Sequence, residues 1–111
     1  MANPAHELIT NARAAIAAAR LEDHPEMSAR SGRREGLGVD VAMHLNDADS
    51  RLRDASTTRD AMVQAYQMSR AARTLGNAVR LGEPFMSDAH YEALMNHAAA
   101  LEVHGLTHGY R

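Results

Sequence analysis

The stretch TRDAMVQAYQMSRAARTLGNAVRL, residues 58–81, decides the fold class. Its apolar residues Ala61, Met62, Ala65, Met68, Ala72, Leu75 and Val79 recur at helical spacing, with no alternation of the kind a half-buried strand shows. The spacing predicts one long helix from about Thr58 to Leu81. Gly82 is a natural stop, and Pro84 forbids immediate continuation. At the other end, Thr57 and Asp60 have the spacing of a capping box, with Asp in place of the usual Glu or Gln.

Moving towards the N-terminus, Leu37, Val41, Leu45, Ala48, Leu52 and Ala55 step by three or four residues. This predicts a second helix over about Val39–Ala55, with Ser56, Thr57 and Thr58 breaking the pattern. Glu26 to Gly38 holds Arg30, Arg33, Arg34 and three glycines and reads as a mobile loop, with at most one helical turn near Glu26–Arg30. The first helix starts at Pro4 behind an Asn3 cap and shows the stripe Ala5, Leu8, Ile9, Ala12, Ile16 and Ala19; His24-Pro25 ends it. Towards the C-terminus, Ser87 caps a last helix whose apolar face is Tyr91, Leu94, Met95, Ala98 and Leu101. Gly105 is expected to end it, leaving residues 106–111 as a tail. The expectation is a single all-α domain over residues 1–111, a small bundle of about four helices with short connections.

Composition sets limits on that bundle. The chain has 111 residues and a formal net charge of −2; 22 residues are alanine, whereas Leu, Ile, Val and Phe together supply 18. A chain of this length buries roughly two-thirds of its unfolded surface, so a core is expected, but a thin one. Narrow alanine stripes suggest self-association, with a homodimer through the first or last helix as the expectation, and Ala12 and Ala98 as the positions to test. There is no cysteine, so no disulfide framework or thiolate site exists in this chain. No apolar run is long enough to span a membrane and no signal-peptide centre is evident, so a soluble, cytoplasmic protein is expected. All 12 basic residues are arginine, which fits a GC-rich coding sequence and makes every cation a planar fork for carboxylate or phosphate.

Four constellations can be weighed for chemistry. Tyr66, Arg70, Arg73, Asn77 and Arg80 step by four, three, four and three along the third helix, with Arg59 and Val63 extending the row backwards. Such a row faces either an acidic partner or plain solvent. His90, His97, His104 and His108 share one side of the last helix, but a seven-residue step is ~10.5 Å along the axis, too far for one metal ion. Boundary packing accounts for them better than a metal site does. Asp47-Ala48-Asp49 lacks the phase of a calcium loop and reads as a solvated face. A helix-turn-helix across Ala55–Thr58 lacks the turn glycine.

No nucleophile elbow, phosphate loop or carboxylate pair with a base can be assembled by spacing. The sequence therefore favours a non-enzymatic protein, without cofactor or metal, that binds another macromolecule. A small bacterial or phage accessory inhibitor or adaptor acting on a larger protein machine is the leading form of that expectation. The expected contact residues are Tyr66, Arg70, Arg73, Asn77 and Arg80, with Arg30, Arg33 and Arg34 as a second patch. The alternatives are nucleic-acid or nucleotide binding through the arginine row, and histidine-based metal binding.

Overall fold

A computed structural model describes residues 4–20, 39–83 and 86–109. They form four helices, α1 (Pro4–Arg20), α2 (Val39–Thr57), α3 (Ala61–Gly82) and α4 (Asp88–His108), with no strand among the described residues. The Asn3 cap, the His24-Pro25 stop and the 26–38 loop expected from sequence lie outside the described residues. Each of α1 and α3 packs against both α2 and α4, so the four helices occupy the corners of a square with α1 diagonal to α3.

The core is built as the sequence stripes require. Ile9, Ile16, Leu45, Leu52, Met68, Leu75, Val79, Leu94 and Leu101 are its large, fully buried side chains. Alanines at 12, 19, 48, 55, 71, 72, 78 and 98 fill the positions between them. Small side chains bring helix axes together, so dispersion contacts and close packing replace the area that larger side chains would bury. Part of the alanine of α1 and α4 is thus packed inside the monomer, while Ala14, Ala17 and Ala99 remain exposed. Ala12 is fully buried and Ala98 nearly so. A glutamate at either position would put a charge into the core.

Four boundaries differ from the sequence reading. First, α2 runs on to Thr57, because the hydroxyls of Ser56 and Thr57 donate back to the carbonyls of Arg53 and Asp54 at 2.6 and 3.0 Å, satisfying acceptors that a helix end leaves open. Second, Asp60 itself caps α3. Its carboxylate accepts from the Val63 N–H at 3.0 Å, and Thr57 belongs to the preceding helix. Third, Ala61 and Met62 are exposed, not core. Gln64 takes the buried place in the first turn, where its amide Nε2 donates to the Ala55 carbonyl at 2.9 Å, which ties the end of α2 to α3. Fourth, α4 passes straight through Gly105. A Cβ there would lie 2.5 Å from Ser69 Cβ and 2.7 Å from the Ala65 carbonyl oxygen, so this glycine marks a helix crossing. The helix closes at Gly109, whose N–H donates to the Gly105 carbonyl.

Contacts at both ends set α2 against α3. Val41 lies beside Gly82 and Ala55 beside Gln64, so the two helices run antiparallel along most of their length. That is an αα-hairpin, not the steep crossing of a helix-turn-helix. Arg13 of α1 joins Asp49 of α2 through Nε–Oδ1 at 2.9 Å and Nη2–Oδ2 at 3.5 Å. Asp49 is therefore a half-buried inter-helix partner instead of part of a solvated face. The bond from Asp49 raises the Arg13 pKa against a smaller opposing effect of burial.

Candidate interaction surface

With α3 anchored on its inner side by Gln64, Met68, Ala71, Leu75, Ala78 and Val79, helical periodicity turns 66, 70, 73, 77 and 80 outward. All five are exposed, so the row Tyr66, Arg70, Arg73, Asn77 and Arg80 stands together on one face. Arg59, expected to extend it, lies in the turn before α3, and Val63 is exposed beside the row. Arg30, Arg33 and Arg34 lie outside the described residues.

Charge is segregated along this face. From Ala61 to Gly82, α3 carries three arginines and no carboxylate, while α4 carries Asp88, Glu92 and Glu102 and no arginine. The two helices pack side by side, yet among the described residues Arg73 and Arg80 make no ion pair. Arg70 is held otherwise: its Nη1 donates to Tyr66 Oη at 3.0 Å, and its Cζ lies 5.8 Å from the Tyr66 ring centroid, a cation–π contact.

Two depressions flank the row. Between α3 and α4 lies a groove of about 350 Å³. Ala72, Gly76, Ala98 and Ala99 are among its small apolar lining, with Arg73 and Arg80 from α3 and Glu102 from α4 around them. Between α2 and α3 lies a hollow of about 200 Å³ lined by Arg51, Tyr66, Ser69, Arg70, Arg73, Thr74 and Asn77. Arg73 and Asn77 border both. Arg51, Gly76 and Glu102 were not singled out from sequence. The signal for Arg51 was present in its i, i+4 relation to Asp47, whose carboxylate it contacts at 3.3 Å, but its approach to Arg70 depends on the hairpin.

The histidine row behaves differently. His90, His97 and His104 are half-buried and His108 is exposed. The His104 and His108 rings lie 4.6 Å apart between centroids, tilted by 43°. Burial, and secondarily the charge of His108, lower the His104 pKa. Among the described residues no group of three or more His, Asp or Glu side chains is placed to hold a metal ion. No described helix is long and apolar enough to cross a membrane.

Comparison of the chain with protein-family profiles, curated protein sequences and solved structures returned no match.

Proposed function

We propose that this chain is a non-catalytic binding module that docks on an acidic surface of another protein through the exposed face of α3. The observation that carries the reading is the unbalanced charge of that helix. It presents three outward arginines, none of them in an ion pair among the described residues, in a chain whose net charge is negative. Arginine and tyrosine are the residue types most enriched among energetic anchors of interfaces, and Tyr66 stands in the row. A small accessory inhibitor or adaptor, of bacterial or phage origin, fits a compact module with one such face. Self-association through α1 or α4 is proposed as a second property, by the exposed residues of those helices. Val103 and Leu106, both more than half exposed on α4, are apolar residues open to it.

The test is the double charge reversal Arg70→Glu/Arg73→Glu, assayed against a partner captured by a photo-crosslinker placed at Asn77. Loss of the crosslinked partner with unchanged helicity and melting temperature supports the reading, because exposed substitutions shift stability by under ~0.5 kcal/mol. Retained capture by the folded variant removes it. Nucleic-acid binding is the competing reading, favoured by the arginine hollow between α2 and α3. A steep fall of affinity with added salt would identify it, through counterion release.

A further inference from the structure

The hollow between α2 and α3 differs from the rest of the face in having no carboxylate in its lining. Three arginines from two helices, Arg51, Arg70 and Arg73, line it. Two are held by neighbours: Arg51 by Asp47 and Arg70 by the Tyr66 hydroxyl. Arg73 has no ion pair among the described residues. The hydroxyls of Ser69 and Thr74 donate to the carbonyls of Tyr66 and Arg70 at 3.0 and 3.2 Å. The other side-chain donors of the lining are the arginines, the Asn77 amide and the Tyr66 hydroxyl, whose oxygen accepts from Arg70.

We propose that this hollow is an oxyanion site that takes the phosphoryl group of a phosphorylated side chain on a protein partner. The proposal rests on the reading of the α3 face as the interaction surface, and it names the chemistry of the group bound there. A carboxylate offers one fork-shaped edge and a single charge, which satisfies one guanidinium. A phosphoryl group offers three acceptor oxygens and close to two charges, which matches three planar forks able to bind bidentately. Arg70 and Arg73 bring like charges to the hollow without an ion pair, while Arg51 is paired with Asp47, so an anion between them relieves repulsion as well as forming bonds. The volume, about 200 Å³, falls below that of ordinary small-molecule sites and suits one group presented by a larger partner. A continuous phosphate backbone fits less well, because α4, flanking α3 on its other side, carries only acidic formal charge, which would repel an extended polyanion.

The test follows the arginine Nε–Hε signals of the whole chain by NMR at constant ionic strength. The probes are inorganic phosphate, a phosphoserine peptide, its unphosphorylated form, a glutamate-rich peptide and an oligothymidylate. The expected result is saturable shifts of Arg51, Arg70 and Arg73 with phosphate and, more tightly, with the phosphopeptide, and none with the unphosphorylated form. Arg70→Gln and Arg73→Gln should each weaken binding about tenfold, the loss expected for one charge-assisted contact, while Arg80→Gln, outside the hollow, leaves it unchanged. The absence of saturable shifts with both phosphate and phosphopeptide overturns the proposal. So does an oligothymidylate that displaces the phosphopeptide at equal phosphate concentration. If the glutamate-rich peptide binds and Arg73→Glu/Arg80→Glu abolishes it while phosphate leaves the hollow unshifted, the phosphoryl site fails and the acidic-surface reading stands. If no probe binds, both fail.

Discussion

Gly105 of α4 rests against Ser69 of α3 so closely that a Cβ on the glycine would lie 2.5 Å from the serine Cβ. Behind that point the Ala65 carbonyl would be 2.7 Å away and the Ser69 nitrogen 3.0 Å. Two of these three neighbours are backbone atoms, which cannot rotate aside. In an open helix, Gly→Ala gains about 1 kcal/mol. Here the gain is overruled, because α4 must move off α3 to admit the methyl group. Gly105→Ala should destabilise the protein by about 1–3 kcal/mol, the usual cost of overpacking. Denaturant melts give the value, and a stabilised variant would show that the crossing is looser than this geometry.

Gly76 gives the opposite expectation from the same helix. It lies mid-way along α3, and nothing comes within 4 Å of a Cβ built on it. Gly76→Ala should therefore stabilise by about 0.5–1 kcal/mol through helix propensity and a less flexible unfolded chain. The methyl group would point into the α3/α4 groove. A melting temperature unchanged or lowered would contradict the open space seen there.

The helices were legible in the sequence and several of their ends were not, for a physical reason that the two glycines illustrate. Apolar spacing reports which side of a helix is buried, and it placed Ile9, Leu45, Leu75 and Leu101 correctly. A glycine has two opposed uses in a helix, as a stop and as a site of close approach. Gly82 lies in the last turn of α3, where Glu83 is the cap, and Gly105 lies inside α4; both are closely approached by neighbours that the sequence does not reveal. Likewise Ser56 and Thr57 look like helix breakers until their hydroxyls turn back on the chain. On the candidate surface, the row from Tyr66 to Arg80 could be read from periodicity alone. Arg51 could not, since its place beside Arg70 is created by pairing α2 with α3.

Gln64 supplies a third test. Its side chain is buried and its Nε2 donates to the Ala55 carbonyl, which also accepts the Thr58 N–H at 3.2 Å. Gln64→Leu keeps similar bulk, removes the donor and leaves the Gln64 site apolar. The carbonyl retains its backbone bond, so the expected loss is about 1 kcal/mol, near the net worth of one hydrogen bond. Amide exchange should quicken around Thr57 and Thr58, where the tie between the helices is lost. Exchange unchanged at those residues would mean that the amide fills space only.

Protonation of His104 gives the last expectation. Its folded-state pKa is lowered from 6.5, first by burial against the helix packing and then by the charge of His108. A histidine with a lowered folded pKa binds its proton more readily in the unfolded chain. Its contribution to stability is therefore fully present above the unfolded value, near 6.5, and is lost as pH falls from there through the lower folded value. The melting temperature should decline on acidification across that window. His104→Gln should flatten the decline, because the neutral amide does not titrate. His108→Gln should reduce it only in part, because it removes the charge and leaves the burial. The two variants separate the causes: equal slopes in both would make the His108 charge the main cause, and an unchanged slope in His104→Gln would place the acid sensitivity on another group.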